Sequence, residues 1–498
     1  MPKLSSLLVI CFALLLLNGC DDKKETDQKD VKMEGMTVST SSEAAKTAFN
    51  KGLESLDEGD FLQARINFTD AIAKDSAMAI AYAYRSNTGN SVKEFNQDLA
   101  NAQKYADKGS SWEKMYIEGV STFNTGDYTK RVELGKKMTD SFPKDPRAHR
   151  DLGSTYQAAN ETEKARAEFQ KAIELGPKWT GGYNDLANSY LFSDPKDFKK
   201  AEENASKVVE LKPTSPAAQI LLGDAYRAQN DLAKAKTAYA KAVELGPKNA
   251  AGYYKLGHAN TFLGNYDEAR KNYVDGAGHD DKDNLGAMFN TANTYLYAGD
   301  IPAAKKYLMD NCMKIDASSA SADRKTSNKL ACLNTCMLAC FHTGDVAGYK
   351  SAFDMTKPLT AELEKDFTTA EGKMQQKAGI LNQEGMWLAL SGDLAGAKAK
   401  AAEEKTALES IKEPNKLQAN EFLLGYIAWK EKKNDEAVSH FEKANMNSML
   451  DKFYLATAYE AAGKKDKATA IFKEIAGYNF NDITFALVRN EARKKAGM

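Results

Sequence analysis

Gly119, Gly153, Ala187, Gly223, Gly257 and Ala292 follow one another at intervals of 34, 34, 36, 34 and 35 residues. A second ladder of small residues, Ala165, Ala201, Ala235, Ala269 and Ala304, runs beside it at 36, 34, 34 and 35. Tyr156, Tyr190, Tyr226 and Tyr295 stand three residues after members of the first ladder, and Pro143, Pro177, Pro213 and Pro247 close successive units. One period shared by four residue types describes a supersecondary unit repeated many times, each copy stacking on the next to bury an apolar face. Gly-Asp pairs mark the turns: Gly59-Asp60, Gly126-Asp127, Gly299-Asp300, Gly344-Asp345 and Gly392-Asp393. Glycine can end a helix in the left-handed conformation and the following aspartate can cap the next, so each unit is expected to be a helical hairpin.

The segment "RAHRDLGSTYQAANETEKARAEFQKAIELGP", residues 147–177, sets Leu152, Gly153, Tyr156, Ala165, Phe169, Ala172 and Pro177 in the order of a tetratricopeptide unit, and the chain resembles a tetratricopeptide-repeat array over most of residues 43–480. The resemblance implies an all-α fold, an α-solenoid of about twelve helical hairpins. An N-terminal array is expected over 43–312 and a second over 330–478. Between them "DASSASADRKTSN" breaks the period and predicts a loop over 313–329, where the two segments can hinge. The last residues, 479–498, read as a polar-faced capping helix, because a terminal repeat lacks a neighbour on one side.

Ahead of the repeats, Leu7–Leu17 is an apolar run preceded by Lys3. It is too short for a stable membrane span and reads as the core of a signal peptide over residues 1–19. It ends in Leu17-Asn18-Gly19-Cys20, which resembles the lipobox of bacterial lipoprotein precursors. That resemblance implies that Cys20 becomes the first mature residue and carries the acyl chains (palmitate among them) that anchor the protein in a lipid bilayer. Asp21 and Asp22 resemble the sorting signal that retains such proteins at the inner membrane, which implies the periplasmic face of that membrane. The polar stretch to residue 42 is expected to act as a flexible tether.

Lys and Arg number 68 against 69 Asp and Glu, a balance that supplies no basic field for nucleic acid. HExxH, GxSxG, GxxxxGK-[ST], CxxCH and EF-hand patterns are absent, so neither an enzyme nor a cofactor is expected. The loop "GAGHDDKDN" gathers His279, Asp280, Asp281 and Asp283 where two units join, and a solvated connection explains it better than a cation site. Cys332, Cys336 and Cys340 recur every four residues on one helix face, with Cys312 one helix earlier. Aligned on Gly344, Cys336 and Cys340 fall where Leu152 and Tyr156 stand, at core positions, so buried thiols account for the spacing. In an exported protein a disulfide joining Cys312 to Cys332, Cys336 or Cys340 is the other reading, and a metal site is the weakest.

With no catalytic constellation, function is expected on the concave face, where the first helix of each hairpin presents side chains to a groove. The groove positions are Arg147, Arg150 and Ser154, then Asn184 and Asn188, then Asp224 and Arg227, then Tyr254 and His258, then Phe289 and Asn293. Asparagine amides pair with peptide backbone and aromatics give rigid contact area, which suits an extended segment of a partner protein. The expectation is a membrane-anchored extracytoplasmic scaffold that binds other envelope proteins, an adaptor for secretion, pilus, polysaccharide-export or cell-wall enzyme assemblies. The alternative is a small-ligand-binding or enzymatic protein with its site in the irregular region 313–378.

Overall fold

A computed structural model describes residues 36–88 and 91–498 of the protein. The expected signal peptide, Cys20, Asp21 and Asp22 lie outside the described residues. Within them the fold is all-helical, twelve hairpins and a terminal helix. The hairpins are α1 (Glu43–Asp57) with α2 (Phe61–Lys74), α3 (Ala79–Ser86) with α4 (Val92–Tyr105), α5 (Ser111–Ser121) with α6 (Tyr128–Ser141), and α7 (Pro146–Ala158) with α8 (Thr162–Leu175). Then come α9 (Thr180–Phe192) with α10 (Phe198–Leu211), α11 (Pro216–Ala228) with α12 (Leu232–Leu245), α13 (Ala250–Phe262) with α14 (Tyr266–Ala277), and α15 (Gly286–Tyr297) with α16 (Ile301–Lys314). The last four are α17 (Ala322–His342) with α18 (Val346–Glu364), α19 (Ala370–Ser391) with α20 (Leu394–Leu408), α21 (Gln418–Lys430) with α22 (Asn434–Phe441), and α23 (Met449–Ala461) with α24 (Lys465–Gly477). Helix α25 (Ile483–Lys495) follows alone.

The glycine ladder marks where the two helices of a hairpin touch. A Cβ built on Gly153 would lie 2.6 Å from the Phe169 ring, and one on Gly425 would lie 2.8 Å from that of Phe441. Gly52, Gly223 and Gly257 meet Phe68, Tyr239 and Tyr273 in the same way. In all five hairpins the aromatic stands sixteen residues after the glycine. Ala165, Ala201, Ala235, Ala269 and Ala304, the second ladder, are fully buried at the same seam. The turns behave as expected: Gly59, Gly126, Gly299, Gly344 and Gly392 have positive φ. The aspartate after each accepts from the backbone three residues on, as in Asp60 with the Gln63 N–H at 2.9 Å and Asp345 with that of Gly348 at 2.8 Å. Where the glycine is missing, Asn160 and Asn230 take the left-handed conformation instead.

First helices of neighbouring hairpins pack on one another, α7 on α9, α9 on α11, α11 on α13 and α13 on α15, to an extent that the second helices do not. The array therefore curves with its first helices inside. The loop expected over 313–329 shrinks to residues 318–321, because α16 runs on into a short 3-10 turn (Ile315–Ala317) and α17 starts at Ala322. Arg324 in the first turn of α17 pairs with Asp281 at 2.8 Å and Asp283 at 3.5 Å, and Asn328 donates to the Asp283 carbonyl at 2.8 Å. One apolar core then runs from Phe262 to Ala492 across this joint. The terminal helix also departs from a simple end cap. It lies against α15, α17 and α23 on the inside of the curve and buries Phe485, Val488 and Ala492 completely. No helix among the described residues is long and apolar enough to cross a membrane.

Candidate functional site

The inner face is the candidate site, and two clasps fill it with this chain's own residues. The first holds the end of α1. Asp57, its last residue, is buried and accepts from Arg147 at 3.0 Å, Arg150 at 2.9 Å and the Trp179 indole at 2.9 Å. Asn184 donates to the Asp57 carbonyl at 2.7 Å, and Lys212 pairs with Glu58 at 2.6 Å. Arg150 also reaches Asp185. Burial works against the Asp57 carboxylate, but Arg147 and Arg150 outweigh it and hold its pKa below the ordinary value. Asn188 stands one turn beyond Asn184, half-buried, and Ser154 is exposed.

The second clasp holds the extended connection 478–482 that leads into α25. The Arg227 guanidinium stacks on Phe480, 4.8 Å from the ring centroid, and Phe480 packs on Phe192 at 4.9 Å. Asn479 donates to the Asn230 side chain at 2.9 Å. Asn481 donates to Asn290 at 2.9 Å and accepts from Asn293 at 3.2 Å. Behind this contact lies a buried polar network. Asp224 accepts from Arg227 at 2.8 Å, from the Tyr239 hydroxyl at 2.6 Å and from Lys255 at 2.6 Å. His258 sits between Arg227 at 3.2 Å and Asn290 at 3.3 Å. Burial, then the cations Arg227 and Lys255, keep His258 neutral with a pKa well below its ordinary value.

The residues read from the sequence as groove positions are thus brought together, but as the lining of an occupied interior. Arg227, His258, Phe289 and Asn293 are buried, and Tyr254 is buried between hairpins with its hydroxyl donating to Asp280 at 2.9 Å. They do not line an open groove, because Asp57 and residues 478–482 take the space a partner peptide would enter. The sequence reading missed Asp57, Trp179, Asn230, Asn290 and the segment Tyr478-Asn479-Phe480-Asn481-Asp482. Two signals pointed to Asp57 and to the connecting segment: a carboxylate at a helix C-terminus, where the helix dipole disfavours it, and a polar–aromatic alternation between two helices.

The acidic loop 279–283 is used internally, Asp280 by Tyr254 and Asn284 and the other two by Arg324. Among the described residues no group of three or more His, Cys, Asp or Glu side chains is placed to hold a metal ion. In the region of the alternative reading, Cys312 and Cys332 form a disulfide with Cα atoms 5.6 Å apart, while Cys336 and Cys340 are free and buried. A cleft of about 620 Å³ lies beside them, lined by Ile301, Lys305, Met309, Cys336, Cys340 and Asp345 among others.

A family model described as tetratricopeptide repeat matches residues 147–178, 250–275 and 422–446, and one described as TPR repeat matches 223–261. No curated protein matches the chain by sequence. Among solved structures, the APC/C hetero-tetramer Cut9–Hcn1 is similar at 14% identity and a TM-score of 0.41, covering 90% of this chain and 76% of that one. A thermophilic TPR protein of Thermus thermophilus is similar at 19% identity and a TM-score of 0.33, covering 37% and 100%. MamA is similar at 22% identity and a TM-score of 0.28, covering 33% and 95%. The matched segments lie on the hairpins α7–α8, α11–α12, α13–α14 and α21–α22, so this solenoid contains tetratricopeptide repeats, units that build protein-binding scaffolds.

Proposed function

We propose that the protein is a membrane-anchored extracytoplasmic scaffold, tethered by acyl chains on Cys20, that binds partner proteins as an adaptor for an envelope assembly. The observation that carries the scaffold reading is the second clasp. A surface that orders the extended segment 478–482 through asparagine amides and an arginine–aromatic stack has the chemistry by which peptides are held. Tetratricopeptide arrays are typically non-enzymatic, and binding without catalysis is the role proposed here. The anchoring is supported by Leu17-Asn18-Gly19-Cys20 and the inner-membrane placement by Asp21 and Asp22. Secretion, pilus, polysaccharide-export and cell-wall enzyme machineries are the classes of assembly this reading covers.

Cell fractionation of the wild type and Cys20→Ser tests the anchor. The wild type should sediment with membranes and the variant should be released; a wild type found wholly in the soluble fraction overturns the reading. A photo-reactive residue at Ser154, exposed on the inward helix α7, tests the scaffold role. Discrete adducts with envelope proteins in intact cells are expected. Absence of adducts both there and at Val274, 67% exposed on α14, would sink it.

A further inference from the structure

Three sulfur atoms meet where α16 packs on α17, and a fourth lies one turn further along α17. Cys312 is the last buried cysteine of α16, and Cys332, Cys336 and Cys340 stand on successive turns of α17 facing it. Cys312 is bonded to Cys332, yet the Cys336 sulfur lies only 3.9 Å from the Cys312 sulfur. Thiol–disulfide exchange begins with a thiolate approaching one sulfur of a disulfide, and here the nucleophile is held by the same helix as the leaving group. One turn further, Cys340 and Cys336 border the cleft of about 620 Å³ between Gly299–Met309 and α17–α18, with Lys305, which pairs with Asp345, on its wall.

We propose that these four cysteines form a thiol–disulfide exchange site, in which Cys336 competes with Cys332 for Cys312 and the cleft admits a small thiol or thiol reagent to Cys340 and Cys336. In the internal step the Cys336 thiolate attacks the Cys312 sulfur. A Cys312–Cys336 bond forms, the Cys312–Cys332 bond breaks, and its electron pair leaves on Cys332, which takes up the proton that Cys336 released. One disulfide and two thiols stand on each side, so no oxidant is consumed. The tie from α16 moves four residues along α17, about 6 Å, toward the cleft.

The neighbourhood sets the pace. Burial pushes the Cys336 thiol up to about 12, against a pull from Lys305, and burial pushes Cys340 up to about 11. Little thiolate is present at neutral pH, so exchange is slow in the closed protein and accelerates with whatever opens the cleft or raises the pH. Cys340 hydrogen bonds to Asp345 at 3.7 Å, another residue of the cleft wall, and in this proposal it is the sulfur a reagent reaches first.

Disulfide mapping of the full, natively folded chain tests this. The protein is incubated at mildly alkaline pH, quenched with acid, alkylated, cleaved with proteases that cut at Leu333 and Leu338, and sequenced by mass spectrometry without reduction. Both Cys312–Cys332 and Cys312–Cys336 linkages are expected, with the second growing over time. Cys332→Ser, oxidised by air, should form Cys312–Cys336 and leave Cys340 alkylatable. Cys332→Ser/Cys336→Ser should leave Cys312 free. A wild type that holds Cys312–Cys332 alone at every time point, or a folded Cys332→Ser in which Cys312 and Cys336 both remain thiols, overturns the proposal. Native labelling with a small maleimide should modify Cys340 before Cys336; the opposite order would overturn the assigned entry route.

Discussion

Single residues decide how close the helices of a hairpin come. Gly223 faces the Tyr239 ring and has no room for a methyl group, whereas an added Cβ on Gly119 would meet nothing within 4 Å. The difference follows from the residue sixteen places on, tyrosine in one hairpin and Gly135 in the other. Gly223→Ala should therefore lose about 1–3 kcal/mol by overpacking. Gly119→Ala should be neutral or gain up to about 1 kcal/mol of helix propensity. Urea denaturation distinguishes the two, and equal effects would show that the aromatic contact is not what fixes the ladder. His258 gives a second residue-scale expectation. Its pKa in the fold lies well below the ordinary value, so the unfolded chain binds the extra proton first on acidification. Its contribution is full above about pH 6.5 and is lost as pH falls below that, ahead of the carboxylates Asp57 and Asp224, which their cationic partners hold below the ordinary carboxylate range. The His258 contribution should fall between about pH 7 and pH 5, opposed by Asp151 and Asp451, which burial raises to about 6 and about 7, so His258→Gln should make stability fall less, or rise more, on acidification than in the wild type.

At the scale of the element, what a helix does depends on whether its partner is local or distant in sequence. The hairpins were legible because glycine, alanine, aspartate and proline each serve a contact within one 34-residue unit. The clasps were not, because Asp57 meets Arg147 across 90 residues and Asn479 meets Asn230 across 249, and no spacing rule reaches that far. Arg147, Arg150 and Arg227 were read as groove residues, and here they bond to this chain's own segments; a pattern of inward-facing polar groups looks the same whether the groove is open or already filled. The loop expected at 313–329 is shorter for a similar reason: the break in the period does not show that Arg324 and Asn328 are engaged by the loop before α15. Asp57→Ala tests the first clasp. It leaves the largely buried Arg147 without a carboxylate and Arg150 with Asp185 alone, so the loss should be at most about 3–5 kcal/mol, the figure for a buried pair broken on one side. Hydrogen exchange should quicken in α1 and α2 first, because the clasp is what fastens that end; uniform quickening along the chain would count against it.

For the whole molecule the consequence of the two clasps is closure. The superhelix comes round far enough for its early hairpins to meet its late ones: Ser91 bonds to Asp323 at 2.6 Å, Asn96 to the Asp366 carbonyl at 2.8 Å, Thr369 to the Asn124 carbonyl at 3.2 Å, and Lys412 to Asp127 at 2.7 Å. Each contact is polar and at least partly exposed, so each contributes at most about 1 kcal/mol, and closure rests on the core that continues beneath α17 and on α25 inside the curve. A scaffold built this way should present fixed outer surfaces and should not flex at residues 318–321, because Arg324, Asn328 and the shared core bridge the joint. Zero-length carbodiimide coupling of the intact chain reads the closure directly, since it joins only amines and carboxylates already in contact. Mass spectrometry should find Lys412 coupled to Asp127 and Lys212 coupled to Glu58 at the same protein concentrations at which no intermolecular product forms. Moderate salt should lower both yields without abolishing them, because the groups stay adjacent when their attraction is screened. An array that opens at the 313–329 joint would keep the Lys212–Glu58 product, which lies wholly within the first six hairpins, and lose the Lys412–Asp127 product, which spans the joint.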